Sequence, residues 1–343
     1  MLGLNLGVGL KKNVYDSNFW TGNAFAFTVK TDNAGTSNDD QFTIPIASKV
    51  VNATIYWGDD STTTLASSDG SQTAITHTYS SAGTYNIYIL ESATKGFSKI
   101  KFNNGGDKLK MTNIANWGII DFDIANTFFG CSNMTCTATD VPIYTADSNH
   151  LSNCFRNCTS FNGAIGNWDL TTATSVEGMF DGATSFNQPL DSWDTSNITS
   201  IRKLFNGATS FNQPLNSWDT SSVTLADFIF EGASAFNQPL NSWDMSLVTS
   251  LQKMFNGATA FNQDLSAWDF EGLTHASALV RFIKGSGMST ANYSALLIRW
   301  AAQDVKDSLT VDSGTIQYSA SAASARQSLL DDDSWSITDG GQA

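Results

Sequence analysis

Large apolar side chains recur along the second half of this chain on a fixed step of 25 residues. Trp168, Trp193, Trp218, Trp243 and Trp268 form one series. Phe155, Phe180, Phe205, Phe230 and Phe255 form a second, and Phe161, Phe186, Phe211, Phe236 and Phe261 a third. Three series locked to one period across five copies predict a solenoid. Each copy is too small to bury its own apolar face and covers it with the next. The copies are close to identical: 180–197 and 205–222 differ at three of eighteen positions. A solenoid is first a scaffold or a binding surface, which weighs against catalysis before any other residue is read.

The polar positions between these anchors predict the path of one coil. Leu190 and Trp193 bracket a short strand with its apolar residues inward. Asp194-Thr195-Ser196 offers side-chain oxygens to a helix start. Ile198, Ile201, Leu204 and Phe205 follow at helical spacing, and Gly207 stands where a left-handed helix exit favours glycine. Asn162, Asn187, Asn212, Asn237 and Asn262 predict a buried polar ladder between coils. Pro189, Pro214 and Pro239 fit a turn or strand entrance, where no N–H need be donated. Asp169, Asp194, Asp219, Asp244 and Asp269 form an acidic row. Its expected role is to accept helix-start N–H bonds, where the dipole favours a carboxylate; cation binding along the row is the alternative.

A different pattern occupies the first third. Segments 25–29, 41–46, 53–57 and 84–90 read as short strands separated by turn-rich stretches, the spacing of a small β-sandwich. Before them Leu4, Leu6, Val8 and Leu10 alternate with Gly or Asn, a period of two suited to adding a strand to a neighbour's sheet. At the other end, 290–302 reads as an amphipathic helix with Tyr293, Leu296, Leu297 and Trp300 inward, placed to cap the open solenoid. The expected fold is mainly β with short helices. It comprises a docking arm at 1–18, a sandwich at 19–95, a repeat solenoid at 96–275 and a capping unit at 276–343.

The repeat Met179-Phe180-Asp181-Gly182-Ala183-Thr184-Ser185-Phe186-Asn187-Gln188-Pro189-Leu190-Asp191-Ser192-Trp193-Asp194-Thr195-Ser196 resembles the coils of the BspA-like leucine-rich-repeat family of surface proteins. Copies at 179–199, 204–224, 229–249 and 254–274 match closely; 154–176 is looser, and 117–139 is the least regular. Residues 289–300 and 335–341 resemble that family's C-terminal unit. Upstream, Tyr56-Trp57-Gly58-Asp59-Asp60-Ser61 and the run from Thr76-His77-Thr78-Tyr79 to Tyr85-Asn86-Ile87 resemble the two hallmarks of PKD-like domains. Asp60 stands where that family has glycine. These resemblances imply a surface-exposed, adhesive or interaction role, with the sandwich as spacer or adhesion module, and no catalytic residue.

Composition narrows the picture further. The formal charge is -14, with only 18 Lys and Arg, which argues against nucleic acid as a partner because phosphate contacts dominate that affinity. No run of about 18 apolar residues predicts a membrane span. The start of the chain lacks the order of a secretory signal, since its apolar run precedes Lys11-Lys12. Trimming, an unusual export route and release on a particle each account for that, and the alternating arm favours the last. Cys131 and Cys158 align with Ala183, Ala208, Ala233 and Ala258, and Cys154 with Met179. Free buried thiols are therefore expected, a disulfide between early coils stays open, and zinc is disfavoured for want of Cys-x-x-Cys. No hydrolase, metalloprotease or P-loop motif occurs. Asp59 and Asp60 are too few to claim a calcium site. The small polar residues between Leu and Trp of each coil lack an aromatic platform, which leaves recognition to loops or the C-terminal unit. No cofactor is expected.

The functional expectation is a non-catalytic virion structural protein: a phage fiber, decoration or host-attachment protein at the virion surface. Its partners would be virion proteins at the N-terminal side and a host surface protein or glycan at the far side. A bacterial cell-surface adhesin is the alternative, and a polysaccharide-degrading tailspike enzyme a distant third. Homo-oligomerisation stays open, as no heptads specify it.

Overall fold

The computed structural model describes residues 24–46, 53–65, 74–91, 100–119, 125–142 and 151–343. It is mainly β with a few short helices, and none of its sheets closes into a barrel. The arm residues Leu4, Leu6, Val8 and Leu10 lie outside the described residues.

The N-terminal part is built from β1 (Phe25–Lys30), β2 (Gln41–Pro45), β3 (Ala53–Tyr56), β4 (Thr62–Leu65), β5 (Ala74–Thr78), β6 (Thr84–Glu91), β7 (Met111–Asn116) and β8 (Thr135–Cys136). Six of them form one sheet in the order β4-β3-β6-β1-β7-β8, and β2 pairs with β5 separately. Strand alternation decides the inner faces. Phe42 and Ile44 of β2 are buried, while Thr43 turns outward and bonds Thr76 at 2.9 Å. Phe27 of the large sheet meets Phe42 of the small one at 6.0 Å between ring centroids. The strands expected at 25–29, 41–46, 53–57 and 84–90 are present within a residue or two at each end. Strands β4, β5 and β7, rich in Thr and Asn, were not expected.

Strand β7 joins the two halves. It pairs antiparallel with β1 and parallel with β8, which belongs to the first coil. The large sheet therefore runs across the 95/96 boundary, and its β1 edge is covered rather than left open. The apolar core is continuous there: Phe25 lies 6.4 Å from Phe128, whose ring begins the first phenylalanine column.

In the repeats, the backbone departs from the expected strand and helix. Residues 190–193 form a tight turn, Trp193 N–H donating to the Leu190 carbonyl at 3.2 Å, with no strand pairing. Residues 198–205 form successive turns and not a helix. Lys203 has a φ of 57° and Gly207 one of 65°, left-handed values that break any α-helix. Alternate N–H groups serve two purposes. Those of Leu204, Asn206 and Ala208 close local turns onto Ile201, Lys203 and Phe205. Those of Ile201, Lys203, Phe205 and Gly207 reach the next coil, donating to Leu225, Asp227, Ile229 and Glu231. The apolar spacing of 3 and 4 thus came from a four-residue turn repeat that puts Ile201, Leu204 and Phe205 inside, a periodicity that mimics a helix.

Burial follows the three apolar series. Phe180, Phe205, Phe230 and Phe255 stack at 5.5–5.7 Å with interplanar angles of 3–11°. Phe186, Phe211, Phe236 and Phe261 stack at 5.9–6.0 Å. Trp193, Trp218, Trp243 and Trp268 stack at 6.0–6.5 Å. Trp168 heads its column differently, meeting Trp117 edge-on at 5.0 Å.

The C-terminal unit contains α1 (Thr290–Ala301), β9 (Thr310–Asp312), α2 (Ala323–Asp331) and β10 (Ser336–Thr338), with β9 and β10 parallel. Ser289 caps α1, its hydroxyl accepting the Asn292 N–H at 3.3 Å. Tyr293, Leu296, Leu297 and Trp300 of α1 are all buried, as expected. Trp300 meets Phe270 of the last coil edge-on at 5.8 Å.

Candidate functional site

Each predicted ladder residue has a partner one coil away, and the partners explain why the sequence repeats so strictly. The indole N–H groups of Trp193, Trp218, Trp243 and Trp268 donate to the carbonyls of Ile165, Leu190, Leu215 and Leu240 at 2.8–3.0 Å. Among the asparagines, the Oδ1 of Asn162, Asn187, Asn212 and Asn237 accepts the backbone N–H of Asn187, Asn212, Asn237 and Asn262 at 2.9–3.0 Å. The last rung hands on to the cap, with Asn262 Oδ1 accepting the Ser289 N–H at 2.8 Å. Asn187, Asn212 and Asn237 of this ladder are half-buried and its end members Asn162 and Asn262 are exposed, so it is not buried as expected. Gln213, Gln238 and Gln263 add a second donor to the Oδ1 of Asn187, Asn212 and Asn237 at 2.8–3.0 Å. That role was missed; its signal was the invariant step of Asn-Gln pairs.

The acidic row does not cap helices. Asp194 Oδ1 accepts the Ser196 N–H at 3.1 Å and the Ser196 hydroxyl at 2.7 Å, and Asp219 does the same with Ser221. These are Asx turns. Hydrogen bonds from those hydroxyls, and then from the N–H groups, hold both carboxyls below the usual carboxylate range. Among the described residues no group of three or more His, Cys, Asp or Glu is placed to hold a metal ion.

The grouping closest to a catalytic site is Asp59, Ser61 and His77, beside the β3–β4 turn. His77 Nε2 lies 2.8 Å from Asp59 Oδ2 and 3.3 Å from Ser61 Oγ, while Ser61 Oγ donates to Asp59 Oδ1 at 2.5 Å. In a nucleophilic triad the acid and the serine occupy opposite ring nitrogens; here both share Nε2, and the serine proton goes to the carboxylate. The ring stacks on Trp57 at 4.7 Å and meets Tyr79 edge-on at 4.5 Å, and the Tyr79 hydroxyl donates to the Trp57 carbonyl. Burial pulls the Asp59 carboxyl up, but the Ser61 and His77 hydrogen bonds together outweigh it and hold it low. Asp60 takes a φ of 67°, the left-handed turn that glycine would make in its place.

All four cysteines are free thiols. Cys131, Cys154 and Cys158 are buried, and burial pushes each thiol well up; that of Cys136 rises to about 11. Thiolate is the reactive form. The folded protein is therefore expected to react with a thiol reagent far more slowly than the denatured one, Cys136 first; four equivalents titrating at once would contradict this burial. His275 is exposed and lies 3.4 Å from the Thr274 hydroxyl, and His150 lies outside the described residues.

Comparison with known proteins touches the coils. Residues 122–226 and 189–291 match the family model described as "Mycoplasma protein of unknown function, DUF285". The repeat region is similar to DUF285. That family is associated with BspA-like repeat proteins, so the match agrees with the likeness read from the coil motif. The two matched DUF285-like stretches overlap at 189–226 and together take in the whole aromatic stack. No curated protein and no solved structure matches the chain.

Proposed function

We propose that this protein is a non-catalytic display and adhesion protein whose DUF285-like coils form a leucine-rich-repeat-like solenoid held out from a surface. The observation that carries this reading is how the coils use their polar groups. The repeated Trp, Asn, Gln and Asp side chains are spent on neighbouring coils and local turns. Such a lattice resists deformation and presents a long face, as repeat proteins do. The N-terminal sheets read as a PKD-like sandwich, supported by Trp57, Asp59, His77 and Tyr79 locking one corner.

The DUF285 match supports a cell-surface setting. A virion surface is the second reading, favoured by the alternating Leu4, Leu6, Val8 and Leu10. Immunogold labelling with an antibody to the repeats tests both. Gold on the envelopes of intact cells supports the surface adhesin, and gold on purified phage particles the virion protein. Label confined to the cell interior overturns the display reading.

A further inference from the structure

Charge is segregated across the coils. All six Lys and Arg between residues 151 and 288 lie in one stretch of the coil or its immediate continuation: Arg156, Arg202, Lys203, Lys253, Arg281 and Lys284. This stretch carries the coil-to-coil N–H ladder through Phe180, Phe205, Phe230 and Phe255. Of the twelve Asp and Glu in the same span, only Glu177, Asp181, Asp227 and Glu231 share that stretch; the other eight lie elsewhere on the coils. Asp312 of the C-terminal unit pairs with Lys284 at 2.7 Å and lies 3.9 Å from Arg281, yet the ladder face is where the coils hold all their cations.

One coil breaks the pattern at the centre of this face. The corner of successive coils is occupied by Asn153, Gly178, Lys203, Phe228, Lys253 and Arg281, each with a φ between 55 and 61°. A left-handed backbone is sterically costly for an aromatic residue and is most informative where it occurs off glycine and asparagine. Phe228 is only half-buried, so the apolar core does not account for it. Three cations surround its ring: Arg202 Cζ and Lys203 Nζ at 5.6 Å and Lys253 Nζ at 5.5 Å from the centroid. Arg202 pairs with Glu177 at 3.3 Å and Lys253 with Glu231 at 3.4 Å. Lys203 has no carboxylate within salt-bridge reach among the described residues. In the same coil Leu225, 43% exposed, replaces the Ser175, Ser200 and Ser250 of its neighbours.

We propose that the ladder face centred on Phe228 binds a carboxylated polysaccharide, with Lys203 and Lys253 taking carboxylates, the Phe228 ring holding those two side chains in place, and exposed Leu225 meeting the C–H face of a sugar between them. The claim rests on the display reading only in supplying the surface setting where such a polymer is met. Three features select this class. The cations flank the aromatic residue from the coils before and after it, about 10 Å apart at the ~5 Å spacing of adjacent strands, which suits acidic units on either side of one sugar in an extended chain. The N–H and C=O groups of this face are already paired coil to coil, so a peptide gains no strand addition here. Exposed Leu225 beside Phe228 adds an apolar surface that suits the C–H face of a sugar ring.

The test is binding of the purified full chain to immobilised polygalacturonate, with neutral dextran, poly-glutamate and a single-stranded oligonucleotide as comparisons. Expected is binding to polygalacturonate alone, weakening as salt rises. Phe228→Gly and Lys203→Asn introduce residues that Gly178 and Asn153 already place at this corner, so both variants keep the parent's thermal midpoint. Each is expected to weaken binding about tenfold or more, while Asp219→Asn, outside this stretch, leaves it unchanged. Absence of binding, binding indifferent to both variants, or equal capture by poly-glutamate or the oligonucleotide overturns the proposal. Surface gold label with no binding sinks this inference and leaves the display reading standing. Binding by the purified chain with gold only inside cells does the reverse.

Discussion

Trp218→Ala is expected to destabilise the protein by about 3–5 kcal/mol, the range for removing a buried Phe or Trp. The indole is 3% exposed and stacks between Trp193 at 6.0 Å and Trp243 at 6.2 Å. Its loss opens a cavity with aromatic walls above and below, which the rigid coils cannot close. It also strips the Leu190 carbonyl of the indole N–H that reaches it at 2.9 Å. Trp218→Phe separates the two contributions, since it keeps an aromatic ring in the column and removes the hydrogen bond. It should cost substantially less, on the order of 1–2 kcal/mol. Denaturant titration followed by far-ultraviolet circular dichroism checks both. A loss below about 1 kcal/mol for Trp218→Ala would contradict a continuous column.

The second large effect lies in the N-terminal sheets, where an acid and a base are buried around one loop. Lys110 is fully buried, and its Nζ donates to the Ser37, Asn38 and Gln41 carbonyls and to the Ser37 hydroxyl at 2.7–3.1 Å. Asp107, 1% exposed, accepts the N–H groups of Thr36, Ser37 and Thr43 and the Ser37 hydroxyl at 2.6–3.0 Å. Together they fasten the β1–β2 connection to the segment entering β7. Lys110→Met leaves buried acceptors unpaired and removes the cation that favours the buried carboxylate, an expected loss of about 3–5 kcal/mol.

The pH dependence of that site has a definite sign. Burial pulls the Asp107 carboxyl up, but the Ser37 and Thr43 hydrogen bonds and the field of Lys110 hold it below the ordinary carboxylate range. A depressed folded pKa contributes stability that is complete above the unfolded carboxyl pKa. That contribution disappears as pH falls through the lower, folded value. Asp107→Asn should therefore be less stable than the parent at neutral pH, and the gap should narrow on acidification. A gap that widens in acid would contradict the assignment.

The repeat was legible because period, residue type and burial coincide: a Phe or Trp every 25 residues has few places to go except onto its counterpart. The path of the backbone was less so. Ile198, Ile201, Leu204 and Phe205 carry helical spacing, yet Lys203 adopts a left-handed φ that no sequence rule assigns to lysine. What enforces it is the next coil, which accepts the N–H groups of Ile201, Lys203 and Phe205. Phe128 and Phe282 escaped notice for a related reason. They sit 27 residues from Phe155 and Phe255, off the strict period, although Phe128 stacks on Phe155 at 5.8 Å and Phe282 meets Phe255 edge-on at 5.6 Å. The Asp107–Lys110 site was invisible because its partners at Ser37, Asn38 and Gln41 are distant in sequence and ordinary in type. Phe228 stands outside the three apolar series, and only its backbone angle together with its three cations sets it apart.

Amide hydrogen exchange on the intact chain tests the coil-to-coil lattice most directly. The N–H groups of Phe205, Gly207, Phe230 and Gly232 donate to the carbonyls of Ile229, Glu231, Met254 and Asn256 in the following coil at 2.7–2.9 Å. The account predicts that these four amides exchange among the slowest in the protein and lose protection together on Trp218→Ala, since opening any one requires parting two coils. Exchange at the rate of unstructured amides in the parent protein would mean that the coils do not stack, and the display function built on that stack would fall with it.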